Sequence, residues 1–141
     1  MNKFAVFGNP ISHSLSPMIH NEFSNELGID LSYEKILSPI DEFEFTANQF
    51  INDGGIGFNV TLPFKVEAFN FSQELTSNAS AAGAVNTIKI HNNIIFGENT
   101  DGNGLINDLE KNLTESLSGK EILIIGAGGA TQGILLSLIH I

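Results

Sequence analysis

Three short apolar runs alternate with two segments whose apolar residues recur at helical spacing, and this order limits the chain to few folds. Residues 3–8 (Lys3-Phe4-Ala5-Val6-Phe7-Gly8) read as a short buried strand. After the loop Asn9-Pro10-Ile11, Ser16-Pro17 reads as a helix start, because Ser is a preferred N-cap and Pro suits the first helical position. Ile19, Phe23 and Leu27 recur every four residues and give one apolar face, and Gly28 ends the helix. Residues 31–37 resemble a second strand. Asp41 caps a second helix with Phe43, Ala47, Phe50 and Ile51 on its buried side, and Gly54-Gly55 stops it. Residues 56–60 form a third strand. A β-α-β-α-β order predicts a mostly parallel sheet with helices packed on it.

Beyond Leu62-Pro63-Phe64-Lys65, short helical pieces run through Ala82. Residues 84–91 and 94–97 flank Asn92-Asn93, which suits a two-residue hairpin turn. Asp101 begins a helix with Leu105, Ile106, Leu109 and Leu113 inward, and Ser118-Gly119-Lys120 is a polar break. Glu121-Ile122-Leu123-Ile124-Ile125 then reads as a strongly apolar strand running into Gly126-Ala127-Gly128-Gly129-Ala130-Thr131 and an apolar helix. This is the expected start of a second α/β unit. The tail Leu136-Ser137-Leu138-Ile139-His140-Ile141 carries no cap or stop signal, so the chain reads as truncated. A strand over 121–125 without neighbours is an exposed apolar edge. Residues after about 118 are therefore expected to pair with another copy as a homodimer, to swap, or to fold back onto the first domain.

Composition removes several classes. The net charge is −10, and the six basic residues are all Lys, which opposes nucleic-acid binding. No apolar run approaches the roughly 20 residues of a membrane span, and the N-terminus does not resemble a signal peptide. With no cysteine, disulfides and thiolate metal sites are excluded, which fits a reducing cytoplasm. His13, His20, His91 and His140 show no metal-ligand spacing and read as surface or capping residues.

Five constellations carry chemistry. Ser14 and Ser16 place two hydroxyls at a helix N-terminus, where free N–H groups and the dipole suit a carboxylate or phosphate; from spacing alone, Ser16 reads more readily as a plain cap. Asn59-Val60-Thr61-Leu62-Pro63-Phe64-Lys65 lies just past the carboxyl end of a strand, where open α/β sheets bind ligands. Lys65 could point into that crevice or stay solvated. In Gly83-Ala84-Val85-Asn86-Thr87, the Asn86 amide can orient hydroxyls. In Gly97-Glu98-Asn99-Thr100-Asp101-Gly102, Asp101 alone reads first as an N-cap. Gly126, Ala127, Gly128, Gly129 and Ala130 sit between strand and helix as a dinucleotide-binding turn requires, although Ala130-Thr131 stand where the third Gly is sought.

Taken together, these motifs resemble the shikimate dehydrogenase family. The matching stretches are Ala5-Val6-Phe7-Gly8-Asn9-Pro10, His13-Ser14-Leu15-Ser16-Pro17, Asn59 to Lys65, Gly83-Ala84-Val85-Asn86-Thr87, Asn99-Thr100-Asp101-Gly102 and the glycine turn. The resemblance implies a three-layer α/β substrate-binding domain over 1–100, an interdomain helix and linker over 101–118, and the first β-α unit of a truncated Rossmann domain over 119–141. It implies reversible, NADP-dependent reduction of 3-dehydroshikimate to shikimate in aromatic amino-acid biosynthesis. Ser14 and Ser16 would hold the substrate carboxylate. Thr61, Asn86 and Asp101 would bond the ring hydroxyls, and Lys65 and Asp101 would form the catalytic pair. Gly126 to Ala130 would cradle the NADP pyrophosphate. A carboxylate beside Lys65 favours the charged ammonium, which suits proton donation to a carbonyl. Two alternatives stand beside the enzyme: a shikimate-binding or self-associating module without turnover, and a quinate/shikimate dehydrogenase using NAD.

Overall fold

The computed structural model describes residues 1–139; His140 and Ile141, the end of the apolar tail, lie outside them. The first half follows the expected alternation: β1 (Asn2–Gly8), α1 (Ser16–Leu27), β2 (Leu31–Leu37), α2 (Phe43–Asn52) and β3 (Gly55–Val60). Then come α3 (Lys65–Phe71), β4 (Glu74–Leu75), α4 (Ser77–Ala82), β5 (Thr87–His91), β6 (Ile94–Glu98), α5 (Asp101–Leu113) and α6 (Gly129–Ile139). The sheet has six strands in the order β2-β1-β3-β5-β6-β4. β1 is parallel to both β2 and β3, and β4 is parallel to β6. β5 runs antiparallel to β3 and β6. Asn92 and Asn93 turn the β5–β6 hairpin with φ of 51° and 63°, the left-handed pair such a tight turn requires.

β1 lies between β2 and β3, and its run Ala5, Val6 and Phe7 is buried on both faces. Alternation along the strand splits these side chains. Phe7 faces α2 and packs on Phe43, Phe50 and Phe58 with ring centroids 6.0, 5.7 and 4.6 Å away. Val6 faces the opposite side and clusters with Ile11 and Tyr33. α1 covers that second side, against β1 and β2, so helices lie on both faces of the sheet.

The structure corrects five expectations. Ser16 is not the cap of α1, nor Asp41 of α2; the caps are Leu15 and Glu42, neither with a side-chain bond. The stripe Ile19, Phe23 and Leu27 forms but is not covered: Phe23 is 49% exposed, and α1 has no buried residue, because nothing among the described residues packs on its outer side. Leu113 is exposed, and Gly102 is the buried residue of α5. Residues 121–127 form no strand, with Leu123 85% and Ile125 92% exposed. A strand is held by its ladder, and no neighbour is available to this segment among the described residues. The helix after it does form, and α6 packs on α5 and α4 of the same chain. Among the described residues, no helix is long and apolar enough to cross a membrane.

Candidate active site

Topology brings four loops to one sheet edge. β1 and β3 are parallel, so the loops after Gly8 and Val60 leave side by side. Two bonds join them: Thr61 N–H donates to Phe7 O (2.9 Å) and Asn9 N–H to Leu62 O (2.9 Å). The approach is close enough that a Cβ on Gly8 would lie 2.6 Å from the Thr61 methyl, so glycine is required there. β5 runs back, which puts Asn86 at the same edge, where its carbonyl accepts from Val60 N–H (2.8 Å). β6 reverses again and delivers Asn99, Thr100 and Asp101. Asn86 N–H donates to Glu98 O (3.0 Å), and Val85 N–H donates to Lys65 O (2.8 Å), tying the start of α3 to this loop.

Lys65 and Asp101, 36 residues apart, meet there: Lys65 Nζ donates to Asp101 Oδ2 at 2.5 Å. Their side chains are 15% and 26% exposed, so the pair is mostly shielded from water without being sealed. Asn86 Nδ2 donates to the other carboxylate oxygen, Oδ1, at 2.7 Å. Asp101 opens α5 but does not cap it; the preceding Asn99 side chain takes the Asp101 N–H (3.1 Å), leaving the carboxylate for Lys65 and Asn86. The Thr61 hydroxyl makes no hydrogen bond among the described residues and is available to a ligand.

The serine loop forms the other side of the edge. Lys35 Nζ donates to Ser12 O (2.5 Å) and Asn9 Nδ2 to Ser38 O (2.9 Å), anchoring the loop to β2 and the residue after it. Ser14 Oγ lies 3.2 Å from Ser16 Oγ and accepts from Ser16 N–H (3.3 Å). The two hydroxyls therefore form a unit at the N-terminus of a twelve-residue helix, where a carboxylate is favoured.

Sequence reasoning gave no role to three neighbours. Tyr33, on β2, donates to Asn59 Oδ1 on β3 at 2.6 Å. Asn59 Nδ2 reaches Thr87 Oγ1 (3.1 Å), and Thr87 Oγ1 reaches Asn86 Oδ1 (3.0 Å). Burial raises the Tyr33 phenol above its ordinary 10.0, and the adjacent Ser16 hydroxyl partly offsets this. The ring stacks on His20, 4.1 Å away and 7° from parallel, and burial lowers that imidazole below its ordinary 6.5. A signal existed: Tyr33 is the chain's one tyrosine and sits in a strand, and a buried phenol needs a partner.

The glycine turn stands at the start of α6. Gly126 has a φ of +129°, a Cβ on Gly128 would meet nothing within 4 Å, and Gly126, Ala127, Gly128 and Ala130 are exposed. Open backbone before an eleven-residue helix fits a pyrophosphate. One turn further on, α6 touches the Lys65–Asp101 ion pair: a Cβ on Gly133 would lie 2.9 Å from Asp101 Oδ2 and 3.3 Å from Asn99 Nδ2. A separate cleft of about 620 Å³ between α2 and α3 is lined by Asp41, Glu44 and Glu67 and holds none of the expected residues.

Residues 6–88 match the family model of the shikimate dehydrogenase substrate binding domain. This chain belongs to the shikimate dehydrogenase family. A shikimate dehydrogenase (NADP(+)) of Ruthia magnifica subsp. Calyptogena magnifica is 63% identical over 139 residues, covering 99% of this chain and 52% of that protein. The crystal structure of an Ael1 enzyme from Pseudomonas putida superposes with a TM-score of 0.93 at 40% identity, over 99% of this chain and 52% of its own. Shikimate 5-dehydrogenase from Thermus thermophilus, in complex with NADP(H) and shikimate, gives 0.90 at 34% identity, over 99% and 52%. The chain thus spans about half the length of the family members it matches. The family match covers β1 through the start of β5, and so Ser14, Ser16, Thr61, Lys65 and Asn86; Asp101 and the glycine turn follow it.

Proposed function

We propose that this sequence is the substrate side of an enzyme for reversible, NADP-dependent reduction of 3-dehydroshikimate to shikimate, and that the 141 residues alone bind shikimate without turning it over. The observation that carries the reading is the Lys65–Asp101 ion pair, held by Asn86 at the same sheet edge as the Ser14/Ser16 pair. Ser14 and Ser16 take the carboxylate through their hydroxyls and the N-terminus of α1. Thr61, Asn86 and Asp101 bond the ring hydroxyls. Lys65, as the ammonium held by Asp101, gives its proton to the carbonyl oxygen, and the amine left behind takes a proton back from solvent through its exposed side. Gly126 to Ala130 would hold the NADP pyrophosphate; when bound, the nicotinamide supplies the hydride.

Residues 1–100 would be the substrate domain, 101–118 its connecting helix and linker, and 119–141 the beginning of the cofactor domain. A chain without cysteine suits the cytoplasm. Assay of NADP-dependent shikimate oxidation by the 141-residue chain tests the division of labour: no turnover together with saturable shikimate binding is expected. Turnover above background would overturn the claim that binding and catalysis are split, and absence of shikimate binding would overturn the substrate. Turnover of quinate with NAD by a full-length protein of this sequence would favour the quinate/shikimate alternative.

A further inference from the structure

We propose that Tyr33 is a positioning residue whose phenol orders the Asn59–Thr87–Asn86 bonds that lead to the Lys65/Asp101 pair; this deepens the reading above and rests on it. The hydrogen bonds form one directed path. Tyr33 O–H donates to Asn59 Oδ1 at 2.6 Å. Asn59 Nδ2 donates to Thr87 Oγ1, Thr87 O–H to Asn86 Oδ1, and Asn86 Nδ2 to Asp101 Oδ1, at 3.1, 3.0 and 2.7 Å. The path ends on the carboxylate whose other oxygen takes Lys65.

Direction matters because an amide has a donor end and an acceptor end. Tyr33 O–H donates to the Asn59 oxygen, which leaves the Asn59 amino group for Thr87. The Thr87 oxygen, already an acceptor, then gives its proton to Asn86 Oδ1, with Thr100 N–H donating to the same oxygen at 3.0 Å. Asn86 is left with its amino group toward Asp101. The phenol thus sets the Asn59 amide, and through Thr87 it reinforces the Asn86 amide that Thr100 N–H and Asp101 also hold. The simpler role, a ring packed with Val6, Ile11 and His20, needs no hydroxyl and survives in phenylalanine.

Tyr33→Phe keeps the ring and removes the donor. In the ligand-free 141-residue chain, the side-chain amide resonances of both Asn59 and Asn86 are expected to shift, while backbone resonances of Ala5 and Phe7 stay in place. Thr87→Val, which cuts the path without touching Tyr33, should displace the same Asn86 resonances. Shikimate affinity should fall about three- to ten-fold in Tyr33→Phe, the loss expected of one hydrogen bond. Unmoved Asn86 amides in both variants would overturn the proposal, as would unchanged shikimate affinity in Tyr33→Phe. If the parent chain binds no shikimate, the proposed function fails, and the amide resonances still judge the path.

Discussion

Ser16 and Asp101 each open a helix, and in neither does the side chain serve that helix. Both are of the type that caps most often, so sequence alone favours a cap at each. What overrode it was the neighbour before each: Leu15 and Thr100 take the cap positions, which frees the two side chains for the site. Ser16→Ala should therefore change stability by less than about 0.5 kcal/mol, below the roughly 1 kcal/mol of a lost cap, while weakening shikimate binding; denaturant titration and calorimetry separate the two. In a full-length protein of this sequence, Lys65→Ala should lower kcat by about 10²- to 10⁴-fold with a much smaller effect on substrate affinity, as for loss of a general acid. Steady-state kinetics with shikimate would check it, and unchanged turnover would remove Lys65 from its role. Tyr33 carries a pH signature as well. Its folded-state phenol titrates above the ordinary 10.0, so the unfolded chain loses that proton first. The stability it contributes is complete below pH 10.0 and is lost as pH rises toward the folded value. The denaturation midpoint should fall above that pH, and less steeply in Tyr33→Phe.

Strands and helices of the first half could be read from the chain because each shows its own period and its own punctuation. β2 spans the expected residues, and β1, α1 and β3 begin within one residue of the expected starts. β4 escaped notice because two residues, Glu74 and Leu75, have no period; pairing with β6 makes them a strand. The opposite error arose at 121–125, where β-branched and apolar content signals a strand that has no ladder to join. α6 shows contact rather than propensity at work. Gly133 lets it lie on Asp101 and Asn99, so Gly133→Ala forces either the helix or the carboxylate to move. Amide exchange in α6 should accelerate in that variant, and shikimate affinity should fall; a variant with unchanged exchange and affinity would mean that the approach is looser than described.

Across the molecule, the site could be anticipated in part because its residues sit just past strand ends, where an α/β sheet gathers its loops. Ser14, Thr61, Lys65, Asn86 and Asp101 come from four such loops and converge on one edge. The path through Tyr33, Asn59 and Thr87 could not be anticipated. It crosses β2, β3 and β5, and its register is set by pairing between residues up to 28 positions apart, which no local pattern records. Belonging to the shikimate dehydrogenase family fixes the ancestry of this edge; whether the 141 residues suffice to hold a ligand there is a physical question. Titration of the chain with shikimate, followed by heteronuclear NMR, answers it most directly. Saturable shifts centred on Ser14, Ser16, Thr61, Asn86 and Asp101 are predicted. No saturation, or shifts confined to the acidic cleft around Asp41, Glu44 and Glu67, would contradict the assignment.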